Sequence, residues 1–319
     1  MIKNQNIVVT GGAGFIGSHL CEALLREKTN TVICLDNFND FYDPVIKRNN
    51  ISSFQKHDQF NLYSLDILHK EDLEQIFEKE NIHTIFHLAA RAGVRPSIQS
   101  PKLYAQVNIE GTINLLECAK EYNVEKFILA STSSIYGNKK KVPFSETDPV
   151  DHPVSPYATT KKAAELMCYN YHHLYQIPMA CIRFFTVYGP RQRPEMAIHM
   201  FTKHILEGTP IPVFNHGKCE RDYTYIDDII QGVLKVSEFD FSFDIVNLGE
   251  SKTITTLDLI KRIEKACGKK AKLELIKAQP GDVEKTYADI TRAKKVYGYD
   301  PQYPIEKGLH MFVEWYKHL

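Results

Sequence analysis

Apolar positions in the first half of the chain switch repeatedly between short continuous runs and helical spacing. The run Ile7-Val8-Val9 stops at glycines, after which Ile16, Leu20, Ala23 and Leu24 recur every three or four residues. This predicts a strand, a tight turn and a helix. A second run, Thr31-Val32-Ile33-Cys34-Leu35, ends at Asp36, and further strands are expected to end near Leu65-Asp66-Ile67 and over 84–88, 127–130 and 179–185. Between them lie helices predicted from Pro44, over 70–80, over 102–122 and over 157–176. Strands alternating with helices predict an α/β fold: a Rossmann-type, doubly wound parallel sheet with helices on both faces. Beyond Pro190 the alternation weakens. Helical stretches over 194–207 and 225–238 are joined by turns such as Gly208-Thr209-Pro210, and a run over 243–248 reads as a strand returning to the main sheet. The expected division is a dinucleotide-binding domain over 1–190 and a smaller α/β substrate-binding domain over 191–319.

Composition narrows the function classes. The 39 basic and 39 acidic residues balance, so no overall field attracts nucleic acid or an anionic membrane. No apolar run has the length of a membrane span. Seven cysteines are scattered without a C-x-x-C and several sit in apolar patterns, as in a reduced, cytoplasmic protein with no leader peptide. Thirteen histidines show no ligand spacing, and no metal is expected.

The chemistry begins at the first turn. Gly11, Gly12, Gly14 and Gly17 satisfy both G-x-x-G-x-x-G and G-x-G-x-x-G between a strand and a helix. Such glycines permit a tight turn, close backbone approach to a pyrophosphate and close helix packing. The free N–H groups of the helix start, around Phe15, Ile16 and Gly17, favour phosphate. Asp36 stands where an acid takes ribose hydroxyls, and Asn37 and Phe38 bring no arginine for a 2′-phosphate, which favours NAD over NADP. Asp66 reads equally as an adenine contact or as a turn residue, with Ile67 beside it. Leu88, Ala89 and Ala90 permit close backbone approach to a ligand. His87 reads as a packed, satisfied histidine rather than a catalyst, and Lys139-Lys140-Lys141 as a solvated tip. In Tyr157-Ala158-Thr159-Thr160-Lys161, residues four apart share one helix face, so Lys161 reaches a ribose hydroxyl while Tyr157 faces the reacting carbon. A neighbouring ammonium and a nicotinamide cation would favour the phenolate. The hydroxyls of Ser131-Thr132-Ser133-Ser134 close the preceding strand at the ligand-binding edge of the sheet.

These motifs, together with Tyr136-Gly137 and Arg221-Asp222-Tyr223, resemble those of the extended short-chain dehydrogenase/reductases, and over essentially the whole length those of the nucleotide-sugar 4-epimerases. The resemblance implies NAD in the N-terminal domain, a UDP-sugar in the C-terminal one, Thr132 as the hydroxyl serving the oxygen on carbon 4, and a homodimer built on the helices over 102–122 and 157–176. Leu35 to Pro44, Ala92-Gly93-Val94-Arg95, Phe184 to Pro190 and Arg193-Pro194-Glu195-Met196-Ala197 are similar to UDP-glucuronate 4-epimerases in particular. Thr186 and Gln279 replace the Asn and Arg usual in UDP-galactose epimerases. Arg191-Gln192 and Pro96 depart from the glucuronate pattern. Candidate substrate contacts are Arg95 and Arg221 for the pyrophosphate, Phe214 for uracil, Asp282 for the nucleotide or its arginine, and Thr132, Ser133, Ser134, Thr186, Arg193 and Met196 around the sugar. The expected reaction is conversion of UDP-glucuronate to UDP-galacturonate through a 4-keto sugar that turns over in the pocket. UDP-glucose or UDP-N-acetylglucosamine 4-epimerisation is the alternative, and UDP-glucuronate decarboxylation a lesser one.

Overall fold

The computed structural model describes residues 2–277 and 283–319. The N-terminal strands are β1 Asn6–Thr10, β2 Thr31–Asp36, β3 Phe60–Ser64, β4 Thr84–His87, β5 Lys126–Thr132 and β6 Met179–Phe184. Four shorter segments of the second half follow: β7 Thr186–Tyr188, β8 Pro210–Phe214, β9 Glu220–Tyr225 and β10 Phe243–Leu248. The main sheet is parallel in the order β10-β6-β5-β4-β1-β2-β3, so the run over 243–248 does return, pairing with β6. Strand order reverses between β1 and β4, and ligands bind in the crevice beyond the strand ends at such a reversal.

Alternation along each strand divides the core into two layers. Ile7, Val9, Val32, Cys34, Phe86 and Ile128 belong to one, and Val8, Ile33, Leu35, Ile85, Phe127 and Leu129 to the other. Both faces are covered by helices, which is why these strands read as unbroken apolar runs. Each such side chain contributes on the order of 1.5–3 kcal/mol by leaving water.

The helix carrying Tyr157 spans Pro156–Tyr175. Ser155 caps it by accepting from the Ala158 N–H at 3.2 Å, and Pro156 fills a first-turn position needing no donor. The helix expected over 102–122 is instead Pro101–Ala105 and Gly111–Glu121 joined by a π-helical segment, Gln106–Glu110. Within that segment the Asn108 side chain faces inward, accepting from the Arg91 N–H at 2.8 Å and donating to the Arg91 carbonyl and the Thr160 hydroxyl, both at 3.0 Å. An extra residue in the turn aims this amide at the Arg91 loop and at the helix that carries Tyr157, a use typical of π segments.

In the second half, β11 Thr253–Thr255 pairs with β9, β9 with β7, and β12 Lys272–Ile276 with β8. The helices predicted over 194–207 and 225–238 are observed at Ala197–Glu207 and Ile226–Glu238. Asp222 ties this region together. Its buried carboxylate accepts from the Glu250, Ser251 and Ala288 N–H groups at 2.8, 3.0 and 3.1 Å. Burial nonetheless pushes its pKa up to about 7 against these donors. No helix among the described residues is long and apolar enough to cross a membrane.

Candidate active site

The glycine turn is built by contact rather than by choice of conformation alone. A Cβ on Gly17 would lie 2.1 Å from the Gly11 carbonyl oxygen, and one on Gly11 would lie 2.8 Å from the Ala89 nitrogen. Gly11 also holds a φ of +66°. Helix Phe15–Leu24 then starts at Gly14 with no side-chain cap, so its first N–H groups face the cleft. These residues open one cavity of about 440 Å³ at the carboxyl edge of the sheet.

Gly11, Gly14, Phe15, Ile16, Gly17, Asp36, Asn37, Asp66, Ile67, Leu88, Ala89 and Ala90 all line one side of that cavity. Asp36 is held by the Ala13 and Phe38 N–H groups at 3.2 and 2.9 Å. Lys47 stands 3.5 Å from it, a cation that the sequence reading missed because it comes from the next helix. Burial pulls the Lys47 ammonium below its ordinary pKa while Asp36 pulls it back up. Asp66 accepts from the Leu68 N–H at 3.0 Å and from the Asn37 amide at 2.8 Å, so it is a turn residue and a cavity residue together. An uncapped helix start, a glycine cradle that a methyl group would fill and a fixed acid suit a dinucleotide.

Across the cavity stand Thr132, Ser133, Ser134, Tyr157, Lys161, Thr186, Arg193 and Met196. The Thr132 hydroxyl accepts from the Ser134 N–H at 3.2 Å and acts on the Tyr157 phenol. Burial raises the phenol above its ordinary value; Thr132 and the Arg193 guanidinium oppose that rise. The Arg193 guanidinium is thus a cation acting on Tyr157 that the helix spacing did not reveal. Lys161 is buried, and burial lowers its ammonium to about 8. Arg193 already pairs with Glu195 at 3.3 Å and donates toward the Met196 sulfur at 3.4 Å. His87 is satisfied as expected: its ring nitrogens meet the Thr10 and Thr112 hydroxyls at 2.8 and 3.0 Å, and burial lowers its pKa to about 3.

Three sequence candidates lie outside this cavity. Arg95 places its guanidinium 4.1 Å from the Phe214 ring centre, so those two meet each other. Arg221 donates to the Glu220 and Glu284 carbonyls at 2.9 and 3.4 Å. Gln279 and Asp282 lie outside the described residues. Phe41, Tyr42 and Arg91 line the cavity without having been singled out. The Phe41 ring lies between the guanidinium groups of Arg91 and Arg193, at 5.8 and 5.6 Å. The signal for Phe41 and Tyr42 in the sequence was the aromatic loop after Asp36, which spacing alone cannot fold back over the cleft.

Residues 8–312 match the family described as GDP-mannose 4,6 dehydratase. The chain belongs to that family. It is 46% identical to a UDP-glucuronate 4-epimerase of Thermodesulfobacterium geofontis, over 97% of this chain and 95% of the other. A UDP-glucuronate 4-epimerase of Arabidopsis thaliana is 42% identical over 97% of this chain and 75% of its own length. Among solved structures, UDP-glucuronic acid 4-epimerase from Bacillus cereus, in complex with UDP-glucuronic acid and NAD, superposes with a TM-score of 0.93. That protein is 39% identical, covering 98% of this chain and 99% of the other.

Proposed function

We propose that this chain is an NAD-dependent 4-epimerase that interconverts UDP-glucuronate and UDP-galacturonate. The observation that carries the proposal is the placement of Thr132, Tyr157 and Arg193 opposite a dinucleotide cradle in one cavity. NAD held there would supply the hydride acceptor for carbon 4 and, on its return, leave no net redox. Gly11, Gly14 and the start of helix Phe15–Leu24 hold its pyrophosphate, and Asp36 its ribose. Tyr157 takes the proton from the carbon 4 hydroxyl, with Thr132 bonded to the same oxygen. Lys161 orients the nicotinamide ribose. Arg221 and the Arg95–Phe214 pair grip the UDP half. Binding energy held in the nucleotide leaves the 4-keto sugar free to turn.

The family's description names a dehydratase, and elimination of water needs an acid beside the reacting threonine. Ser133 and Ser134 follow Thr132 here, and among the described residues the carboxylates lining the cavity are Asp36 and Asp66, on the cofactor side. Epimerisation is favoured on that ground. The test is incubation of the purified protein with UDP-glucuronate without added NAD. Appearance of UDP-galacturonate supports the proposal; a UDP-pentose in its place, or a deoxy-keto sugar from UDP-glucose under the same conditions, refutes it.

Arg193 and Thr186 are assigned to the sugar carboxylate, which loses water in the cavity and needs donors in return. Pinning it out of line with the carbon 4 ketone suppresses loss of carbon dioxide. A charged hydrogen bond contributes about 1.5–3 kcal/mol. Arg193→Ala is therefore expected to lower kcat/KM for UDP-glucuronate by roughly 10- to 100-fold. UDP-glucose, with no carboxylate, should be affected far less, and equal losses on both substrates would remove Arg193 from this role.

A cytoplasmic homodimer completes the proposal. Helix Pro156–Tyr175 leaves Leu166, Tyr169, Leu174 and Tyr175 exposed, an apolar face suited to a second copy. The seven cysteines are unpaired and buried, as suits a reducing compartment. Solution scattering should return twice the 36.7 kDa chain mass, and a monomer would refute the dimer.

A further inference from the structure

One group of buried polar side chains lies behind the site and is not accounted for by substrate or cofactor contacts. Arg183 on β6 donates from Nε and Nη2 to the two oxygens of Glu165, both at 2.9 Å, with each side chain 1% exposed. The same carboxylate accepts from the Ser131 hydroxyl at 2.6 Å. Arg183 Nη1 donates to the Tyr136 hydroxyl at 2.9 Å, and that hydroxyl donates to Asn247 at 2.8 Å. Burial alone would raise the Glu165 carboxyl; the Arg183 guanidinium overcomes this and holds it below its ordinary value.

The connections matter because of what is next to them. Ser131 immediately precedes Thr132, and Ser131 and Arg183 are partners across the β5–β6 ladder. Tyr136 ends the short helix Ser133–Tyr136 that presents Ser133 and Ser134. Glu165 lies one turn after Lys161 and two after Tyr157 on helix Pro156–Tyr175. Arg183 precedes Thr186 by three residues. One ion pair thus ties together the elements that carry Thr132, Ser133, Ser134 and Tyr157.

We propose that Glu165 and Arg183, through Ser131, are positioning residues for the reaction, setting the Thr132 hydroxyl against the Tyr157 phenol. This rests on the epimerase assignment above. A fully satisfied buried network is rigid, whereas one missing a partner strains its neighbours. Displacement of a reacting group by about 1 Å costs on the order of 100-fold in rate. Glu165 also contributes to the charge of Lys161. The groups facing that ammonium are Glu165 and Cys168 on its own helix, Cys181 on β6 and His87 on β4. Of these, Glu165 is the anion that supports the charged form against burial. Losing the Glu165 charge moves Lys161 deprotonation to lower pH, so activity should fail earlier as pH rises.

Two variants test this in the NAD-loaded protein. Ser131→Ala removes one hydroxyl and leaves the ion pair; kcat for UDP-glucuronate should fall about tenfold with KM within about twofold. Glu165→Gln should in addition shift the alkaline limb of the kcat profile to lower pH, which Ser131→Ala should not. Wild-type kcat in Ser131→Ala, or an alkaline limb of Glu165→Gln matching wild type, overturns the positioning role while leaving the epimerase assignment intact. If Glu165→Gln does not fold, the Ser131→Ala kcat and KM decide alone. A wild-type protein without epimerase activity overturns both.

Discussion

Tyr157→Phe is expected to lower the rate of interconversion of UDP-glucuronate and UDP-galacturonate by about 100- to 10,000-fold, the range for losing a general acid–base group. The replacement removes one oxygen from a half-buried ring whose edge packs against Tyr104 at 6.3 Å, so the fold should survive. NAD released on denaturation and the Kd for UDP should match wild type, separating loss of chemistry from loss of binding. The phenol is raised by burial here, and the opposing influences come from Thr132 and Arg193. A free tyrosine has a pKa near 10, and moving it to about 7 requires roughly 4 kcal/mol of differential stabilisation. Undiminished turnover in Tyr157→Phe would remove the base.

The second large effect is at the glycine turn. Gly17→Ala places a methyl carbon 2.1 Å from the Gly11 carbonyl oxygen and 2.8 Å from the Gly12 Cα. Both neighbours are backbone, and neither can yield without opening the turn that faces the pyrophosphate. Purified Gly17→Ala should carry less than about a tenth of the wild-type NAD, a loss of at least about 1.4 kcal/mol of binding. Gly208→Ala is the control, because a Cβ there meets nothing within 4 Å. It sits at a φ of +71° and should cost about 1–2 kcal/mol of stability, seen as a lower unfolding midpoint with NAD content unchanged. Full NAD occupancy in Gly17→Ala would separate the cofactor from the turn.

How much could be read in advance followed from the range of the forces involved. Strand, turn and helix around Gly11 to Gly17 are local, as is the i, i+4 relation of Tyr157 and Lys161, and both were legible. The returning strand over 243–248 was legible because burial on both faces leaves an unbroken apolar run. The strand Lys272–Ile276 was not, since its Lys-Leu-Glu-Leu alternation is largely exposed and gains its pairing only from β8. Helices Thr256–Cys267 and Ile305–Lys317 lie outside the predicted elements although each carries an apolar stripe, Leu259, Ile260 and Ile263 in the first. Long-range electrostatics were invisible. Nothing local says that Lys47 meets Asp36, that Arg193 acts on the Tyr157 phenol, or that Glu165 lies against Arg183. The π segment at Gln106–Glu110 was hidden for the same reason, because Asn108 answers to Arg91 and Thr160 rather than to its own helix.

Retention of hydrogen at carbon 4 tests the central claim most directly. UDP-glucuronate carrying deuterium at carbon 4 should yield UDP-galacturonate with the label still at carbon 4 in ordinary water, with no exogenous NAD required. Exchange of that deuterium for solvent hydrogen during turnover would contradict the account.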